Sequence, residues 1–406
     1  MKKIVFFVDS FPNYSETFLY NQIYYLLDQD CHVRILALKS HEGFLSNIHS
    51  KLLEYDLTGR CCLLKHGIGL EIFKNLIFHP ILSYRILAFW GIKRGSFLIR
   101  NLRLLLSISN YDVIHAHYGH IGALVCDLRS VGLYSNTKIV CSFHGEDVSH
   151  NLRNTHTKKY YHIGRLADVV TVNSKYTYDC LLKSVGEAWN NVEIVPVPVD
   201  VKYFKPSSSP SKETDCFKIV FCGRLIKWKA PTLAIQIVSK LLELGFTVKL
   251  DLIGDGPEYQ VCGKLILQLG LADSVRLHGA LSQEEIIAYF EDANVFLFPC
   301  IREPDSLKTE AQGLVLQEAQ AMGLPVVISD VGGMKYGMIH GETGFIVEEY
   351  QVADFVTKLR ELIENPCRRI EMGLAGREYV KNNFDVEVIG AKMLTLYGFH
   401  KIEAFG

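Results

Sequence analysis

The chain has 406 residues, which is enough for two domains of ordinary size. Hydrophobic residues make up 49% and charged residues 21%, and the net charge is −1, so the composition is that of a globular protein and excludes a strongly basic nucleic-acid binder. No CxxC pair occurs among the 11 cysteines, which argues against a zinc ribbon or a disulfide framework and favours a reducing cytosol.

A buried strand is predicted at the N-terminus. The apolar run from Ile4 to Val8 follows Lys2 and Lys3, but Asp9 ends it too early for the core of a signal peptide. No apolar run in the sequence is long enough to span a bilayer. With the cysteine pattern, we expect a cytoplasmic protein, and a peripheral position on the inner face of the plasma membrane stays open.

The turn after this strand carries polar residues at the start of a predicted helix. Ser15 is suited to be the N-cap, and Glu16 lies in the first turn, where the helix dipole favours an acidic residue. Capping alone explains both residues. The alternative is that this turn borders a ligand site, because ligands bind doubly wound sheets at the carboxyl ends of the strands.

Residues 63 to 107 are apolar and basic, with Glu71 as their one acidic residue. The basic residues of segment 65–103 are interleaved with Leu, Ile and Phe, a pattern typical of helices that lie on a membrane surface, here the inner face of the plasma membrane. Core helices with solvated basic faces are the alternative, and both interpretations stay open. The basic residues are Lys65, Lys74, Arg85, Lys93, Arg94, Arg100 and Arg103.

Several histidines lie near the ends of two further predicted strands. One strand contains His115 and His117, and the strand Lys138–Phe143 is followed by His144. A metal cluster that also includes His120 is one interpretation, but the spacing matches no zinc pattern. We favour the interpretation that two strand ends point imidazoles into a ligand cleft.

A linker is predicted at Lys205–Lys212, a Pro/Ser-rich run without apolar periodicity. It separates a first domain at 1–203 from a second domain at 204–382, and a C-terminal helical segment follows at 383–406. Strands and helices alternate in both halves, which indicates two doubly wound α/β domains.

The second half begins with a strand and two cations. The predicted strand Phe217–Phe221 is followed by Gly223 and Arg224, and Lys229 stands at the start of the next helix. Arginine binds phosphate oxygens as a fork and lysine binds them as a point charge, and a helix N-terminus favours anions. The pattern suits a diphosphate, although solvated basic residues are the default for so short a motif.

Two glutamates flank a predicted short helix. Glu310 lies in the loop before the helix and Glu318 lies within it, so both carboxylates can face one crevice at the helix N-terminus. Gly323 is suited to the C′ position, and Val326–Ile328 is predicted to be a buried parallel strand. Two solvated glutamates on a surface helix are the alternative. The predicted apolar positions of the helix are Leu314, Val315, Ala319 and Met322.

These two glutamates, with the Ala-x-Ala-x-Gly-x-Pro-Val-Val segment at 319–327, resemble the donor-site element of the retaining family-4 glycosyltransferases. The resemblance covers nearly the whole chain. It includes Gly-Arg-Leu-x-x-x-Lys at Gly223–Lys229 and the motif Phe143-His144-Gly145-x-Asp147. The opening Phe-Pro-x-x-Ser-Glu-Thr-Phe at 11–18 is similar to a subgroup that builds bacterial exopolysaccharides of the colanic-acid type.

The resemblance implies the GT-B fold, in which two doubly wound Rossmann-like domains face a central cleft. It implies that Arg224 and Lys229 bind the diphosphate of a nucleotide sugar and that Glu318 holds the ribose. Glu310 would bind sugar hydroxyls or stabilise an oxocarbenium-like centre, and His144 would approach the transferred sugar. The implied nucleotide-sugar site also includes Gly223, Gly313 and Leu314.

The sequence departs from the family pattern in two places. Many members carry a glycine-rich loop after the first strand, and this chain does not, so we assign no phosphate contact there. Tyr336 stands where the family usually has a glutamate, three residues after Gly332-Gly333. No metal is expected at the donor site, because the two cationic side chains neutralise the diphosphate. Asp28-Gln29-Asp30 resembles the metal-binding motif of the other major transferase fold, but we interpret it as a solvent-facing loop.

We expect a retaining glycosyltransferase that uses a UDP- or GDP-type sugar and a saccharide or lipid-linked saccharide acceptor of a bacterial surface polysaccharide. We expect no cofactor and no nucleic-acid partner. A GT-B nucleotide-sugar 2-epimerase is one alternative, but it would have no evident use for the basic segment 65–103. A catalytically silent subunit of a polysaccharide-assembly complex is another, and the intact Arg224, Lys229, Glu310 and Glu318 argue against it.

Overall fold

Each half of the chain folds around its own parallel sheet. The computed structural model describes residues 1–12, 17–40, 54–65, 70–149, 160–186, 189–207 and 216–399. Unit 1 comprises Met1–Asn173, Thr177–Val195 and Gly390–Gly406, and unit 2 comprises Ser174–Tyr176 and Pro196–Ile389. The functional boundaries predicted after residues 203 and 382 stay predictions.

The sheet of unit 1 has seven parallel strands in the order β3-β2-β1-β4-β5-β6-β7. The order reverses between β1 and β4, as in other doubly wound sheets. The central strands are apolar because helices cover both faces of such a sheet, and the residues from Ile4 to Val8 are at most 1% exposed. The strands are β1 (Lys3–Ser10), β2 (His32–Lys39), β3 (Cys61–Leu63), β4 (Val113–His117), β5 (Lys138–Phe143), β6 (Val169–Val172) and β7 (Val192–Ile194).

Helices connect these strands, and one of them is broken. The helix that begins at Pro80, a favoured first helical residue, contains Gly91 with a φ of 71° and a ψ of 178°, which are not helical values. The helices are α1 (Thr17–Asp28), α2 (Leu70–Phe78), α3 (Pro80–Arg100), α4 (Leu102–Ser107), α5 (Gly119–Ser130), α6 (Glu146–Ser149), α7 (Ile163–Leu166) and α8 (Lys175–Val185).

The sheet of unit 2 has six parallel strands in the order β10-β9-β8-β11-β12-β13. Its order reverses between β8 and β11, so this sheet is doubly wound as well. The strands are β8 (Phe217–Cys222), β9 (Val248–Ile253), β10 (Val275–Gly279), β11 (Val295–Phe298), β12 (Val326–Ser329) and β13 (Gly344–Val347).

The helices of the second half begin and end at residues with clear local signals. Pro231 and Pro366 occupy first-turn positions, and Ser282 with Glu285 forms a capping box. Gly323 follows one helix in the left-handed conformation, as predicted. The helices are α9 (Pro231–Glu243), α10 (Tyr259–Gln268), α11 (Gln283–Asp292), α12 (Leu314–Ala321), α13 (Val352–Glu364), α14 (Pro366–Asn383) and α15 (Val386–Tyr397).

The predicted α/β architecture is confirmed, with two strands added. The sequence did not predict β3 and β7, which are three-residue strands at the two edges of the first sheet and too short to show a pattern. The predicted N-cap Ser15, with Glu16, lies outside the described residues, as does the part of the linker from Ser208 to Lys212. Among the described helices, none combines the length and hydropathy needed to cross a bilayer.

Candidate functional site

The sheet of unit 2 reverses its strand order between β8 and β11, which is where doubly wound sheets bind ligands. The two strands are direct neighbours, with Val220 paired to Phe296. Because the strands are parallel, the loops that follow them leave the same edge of the sheet. One loop carries Gly223–Lys229 and the other leads to Glu310.

Lys229 and Glu310 form an ion pair at this edge. The Lys229 Nζ lies 3.1 Å from the Glu310 Oε1, and the two side chains are 14% and 15% exposed. The ammonium also lies 5.3 Å from the centre of the Phe298 ring, within the range of a cation–π contact. Low exposure strengthens the attraction between the two charges, while both groups keep some surface that a ligand can reach.

Gly223 leaves the space that the Lys229 side chain occupies. Its φ of 149° favours glycine, and a Cβ at this position would lie 3.1 Å from the Lys229 Nζ. The turn after β9 packs against the same loop, because a Cβ on Gly254 would lie 1.9 Å from the Gly223 carbonyl oxygen. Backbone packing between glycines therefore fixes the loop that positions Lys229.

Arg224 is exposed in the same loop. The helix α9 begins just after Lys229, with Ala230 as a left-handed N-cap residue and Pro231 in the first turn. The two cations and this helix N-terminus lie on one short stretch of chain. Two cations beside a helix N-terminus are groups that suit the binding of a diphosphate.

Glu318 belongs to the same electrostatic environment. It lies on α12, is partly buried, and has its carboxyl pKa raised by burial to about 7, while the charge of Lys229 opposes the rise. The structure therefore brings together Lys229, Glu310 and Glu318, three of the residues predicted from the sequence. Near neutral pH the Glu318 carboxyl is present in both protonation states.

The buried face of α12 includes two glutamines beside its apolar residues. Leu314 and Val315 are partly exposed, whereas Gln317 and Gln320 are fully buried. Leu314 and Val315 nevertheless pack against the hydrophobic core of unit 2, together with the buried Ala319 and Met322. Burial of an amide is acceptable where it has a partner, and the Gln320 Nε2 donates to the Gly337 carbonyl at 2.9 Å.

The loop before α12 is held by close backbone contacts. The Gly333 amide donates to the Glu310 carbonyl at 2.9 Å, and the Ser174 Oγ donates to the Ala311 carbonyl at 2.6 Å. A Cβ on Gly332 would lie 1.9 Å from the Glu310 carbonyl oxygen. Glycine at these two positions therefore leaves room for the loop that carries Glu310.

Gln312 anchors this loop and was not predicted from the sequence. Its Oε1 accepts from the Val197 amide at 2.7 Å, and its Nε2 donates to the Val197 carbonyl at 3.0 Å. Gly313 then takes a φ of 78° as the N-cap residue, and α12 begins at Leu314. Direct contact of Gly313 and Leu314 with a ligand stays a prediction.

Unit 1 gathers three histidines at the carboxyl ends of β4 and β5. The His117 Nδ1 lies 3.0 Å from the His144 Nε2, and the two rings stack at an interplanar angle of 4°. His115 bonds to the Ser142 Oγ at 2.6 Å and to the Tyr397 hydroxyl at 2.7 Å. Burial lowers the pKa of His115 and His144 to about 3 and lowers that of His117 well below its usual value, so all three imidazoles are neutral.

The four predicted histidines have different roles. His115 and His117 are fully buried, so the prediction that imidazoles of this strand face a ligand is wrong for both. His144 is partly exposed, and His120 pairs with Asp9 at 3.3 Å. No group of three or more His, Cys, Asp or Glu side chains within the described residues is placed to hold a metal ion.

Asp147 supports the turn that contains His144. Its carboxylate accepts backbone hydrogen bonds from Gly119 at 2.8 Å, Gly145 at 3.1 Å and His144 at 3.2 Å. Burial raises its pKa to about 6, and these hydrogen bonds oppose the rise. Asp147 therefore fixes the backbone that presents His144.

Comparison with known proteins identifies the family. The model of "Glycosyltransferase Family 4" matches residues 15–203, and the model of "Glycosyl transferases group 1" matches residues 205–379. The putative colanic acid biosynthesis glycosyltransferase WcaL of Escherichia coli K12 is 27% identical over 97% of this chain and 99% of its own length. The GDP-mannose-dependent alpha-(1-6)-phosphatidylinositol monomannoside mannosyltransferase of Mycobacterium tuberculosis H37Rv is 26% identical over 72% of this chain and 78% of its own length.

A solved structure supports the same fold. The crystal structure of Anabaena HepE in complex with UDP covers 98% of this chain and 100% of its own, with a TM-score of 0.77 and 17% sequence identity. With both halves matched by the two family models and both sheets doubly wound, the chain is an enzyme that belongs to the family-4 glycosyltransferases and has their GT-B fold.

Proposed function

We propose that this enzyme transfers a sugar from a nucleotide-diphosphate sugar to a growing bacterial surface polysaccharide and retains the anomeric configuration. The observation that carries the proposal is the Lys229–Glu310 ion pair, with Arg224 exposed in the same loop, at the strand reversal of unit 2. The name of the relative WcaL, which refers to colanic acid biosynthesis, supports the polysaccharide product.

Donor binding changes the partner of Lys229. The diphosphate binds Arg224 and Lys229, and it replaces or shares the Glu310 carboxylate, which lies 3.1 Å from the ammonium in the free protein. Glu310 is then available to accept hydrogen bonds from the donor sugar or to stabilise positive charge at its anomeric carbon. Donor binding thus frees the carboxylate that the reaction needs.

The transfer step moves negative charge onto the diphosphate. The bond between the anomeric carbon and the β-phosphate oxygen breaks, and a bond to the acceptor oxygen forms on the same face of the sugar. Arg224 and Lys229 stabilise the departing diphosphate, so the step needs no metal ion. A β-phosphate oxygen accepts the proton of the acceptor hydroxyl, so no side chain has to act as the base.

Other residues position the donor. Glu318 accepts hydrogen bonds from the ribose hydroxyls, while Gly223, Gly313 and Leu314 contribute contacts of the binding loops. A carboxylate is the stronger acceptor, and the Glu318 pKa is about 7, so binding by this residue strengthens as the pH rises through neutrality. His144 contacts the transferred sugar as a neutral imidazole, consistent with its low pKa.

The donor is of the UDP or GDP type, and the acceptor is a saccharide or a lipid-linked saccharide at the inner face of the plasma membrane. UDP is named for the HepE structure, and GDP-mannose is named for the mycobacterial relative. The two nucleotides share the diphosphate that the cations bind, so the base remains to be identified by experiment. No nucleic acid takes part.

The test is nucleotide release by the purified protein with a panel of UDP-, GDP- and ADP-sugars, with and without a bacterial lipid extract. Release that rises with the extract and is lost in Glu310→Gln and Arg224→Ala supports the proposal, and the anomeric configuration of the product tests retention. Release or isomerisation that needs no acceptor would indicate a 2-epimerase. A protein that neither binds nor turns over any of the nucleotides would be a silent subunit.

A further inference from the structure

His117 places a polar ring in the core of unit 1 with one nitrogen unsatisfied. It ends β4, is 0% exposed, and has its ring centre 5.2 Å from that of Phe6 and 4.0 Å from that of His115. Its Nε2 is buried and has no hydrogen-bond partner within the described ranges of the chain. A buried polar atom without a partner costs free energy, so its presence in a native core needs an explanation.

The other ring nitrogen of His117 makes a directional contact with His144. The His117 Nδ1 lies 3.0 Å from the His144 Nε2, the ring planes differ by 4°, and the ring centres are 5.2 Å apart. Because the bonded nitrogens are much closer together than the ring centres, the bond runs near the planes of both rings, where the nitrogen lone pair points. His117 therefore makes a well-aligned hydrogen bond that a leucine of similar size would not make.

The other ring contacts of His144 do not fix which way round the imidazole sits. Phe18 and Tyr118 lie 4.7 Å and 4.9 Å from its ring centre, and its Nδ1 has no hydrogen-bond partner among the residues that the structure describes. Aromatic contacts hold the plane of an imidazole without distinguishing its nitrogens from its carbons. A half-turn of the ring would preserve these contacts and break the bond to His117, so that bond opposes the half-turn.

His117 is itself held in place by a bonded neighbour. The Nδ1 of His115 bonds to the Tyr397 hydroxyl at 2.7 Å, and its Nε2 bonds to the Ser142 Oγ at 2.6 Å, so the ring that packs against His117 is fixed at both nitrogens. Burial keeps the pKa of all three histidines low, and the rings are neutral and do not repel one another. Fixed groups thus extend from Tyr397 to His144.

We propose that His117 is a positioning residue of the sugar site, whose hydrogen bond holds the His144 ring in one orientation and one tautomer. In a neutral imidazole one nitrogen donates and the other accepts, so a bond at Nε2 also determines which nitrogen of His144 carries the proton. The inference rests on the proposed function, in which His144 contacts the transferred sugar. His117 touches no substrate and acts through His144.

The experiment compares His117→Leu with the conservative variant His117→Asn. Leucine removes the bond, so kcat for transfer should fall about tenfold, while the donor KM and the UDP affinity in calorimetry stay unchanged. The asparagine amide can donate or accept near the position of the imidazole Nδ1, so this variant should keep most of the wild-type kcat. The melting temperature of His117→Leu should lie within about 3 °C of the wild type, because leucine also removes the unpaired Nε2.

Two comparisons separate positioning from a general disturbance of the core. In a His144→Ala background, His117→Leu should cause no further loss of kcat, because the ring through which it acts is missing. Trp189→Phe is the matched control. Trp189 is also a buried ring of unit 1, and its Nε1 has no partner in the described segments, so kcat of this variant should equal that of the wild type.

NMR of nitrogen-labelled histidine rings gives a measurement that does not depend on turnover. The His144 signals, identified by their absence in His144→Ala, should show one neutral tautomer in the wild type and in His117→Asn, and a mixture of two in His117→Leu.

Two tautomers of His144 in the wild type, a wild-type kcat in His117→Leu, or an equal loss of kcat in both backgrounds would overturn the inference. Equal losses in His117→Asn and His117→Leu, with both proteins melting earlier, would also overturn it, because they would indicate a purely structural role. A wild type without turnover, or an unchanged kcat in His144→Ala, would count against the proposed function, and the tautomers of His144 would then decide the role of His117 alone.

Discussion

Substitutions at the two members of the Lys229–Glu310 pair should change nucleotide binding in opposite directions. At 3.1 Å and an effective dielectric constant of about 20, the Coulomb attraction between the two charges is about 5 kcal/mol, much of which is offset by desolvation. A diphosphate competes with Glu310 for the Lys229 ammonium. Glu310→Gln removes the competing charge and should tighten UDP or GDP binding about tenfold, while Lys229→Met should weaken it about tenfold to a hundredfold.

Calorimetric titration of each variant with UDP and GDP measures these changes, and steady-state kinetics provides the contrast. Glu310→Gln should bind nucleotide more tightly and still turn over about a hundredfold more slowly, because the carboxylate acts on the sugar during the reaction. A double-mutant cycle in urea unfolding should give a coupling free energy of about 1–3 kcal/mol for the pair. Weaker nucleotide binding by both single variants, or a coupling energy of zero, would refute the exchange of partners.

Three further predictions concern single residues. The pKa of Glu318 is about 7 in the folded protein against an ordinary value of 4.5, so its contribution to stability is lost as the pH rises through 7. The variant Glu318→Gln does not ionise. Its free energy of urea unfolding should therefore gain about 2 kcal/mol relative to that of the wild type between pH 5 and pH 8. His144→Ala should lower turnover about tenfold or more in kinetic assays, with UDP affinity unchanged in calorimetry. Gly332→Ala should lower the free energy of unfolding by about 3 kcal/mol in thermal unfolding and displace the loop of Glu310, because the new Cβ meets a carbonyl oxygen. Gly341→Ala is the control. Gly341 has a φ of 78° but open space around it, so this substitution should cost only about 1 kcal/mol.

The parallel sheets could be predicted because most of their central strands are predominantly apolar. A strand such as Lys138–Phe143 is buried on both faces, so its sequence shows a continuous apolar run bounded by polar residues, and the predicted and observed bounds agree. Edge strands give no such signal. The strand Val192–Ile194 lies at the edge of its sheet, with partly exposed side chains at both ends, and it was missed.

The donor-site residues could be predicted for a related reason. Gly223, Lys229 and Glu310 lie in the loops that follow β8 and β11, and strand order brings the ends of these two strands to one edge of the sheet. The supporting contacts depend on residues far apart in the chain. The hydrogen bonds of Gln312 with Val197 span 115 positions, and nothing in either local sequence indicates them.

The same limit applies to α2 and α3. Helical periodicity shows that a segment has an apolar side. When a helix has apolar residues on two sides, its sequence does not show whether the rest of the protein covers one side or both. In the fold, Ile86 on one side of α3 is fully buried and Ile81 on another side is 72% exposed, although the two side chains are chemically identical. The difference arises from what the rest of unit 1 leaves uncovered, so the sequence offers two interpretations of segment 65–103, and only the packing shows which of its residues are exposed.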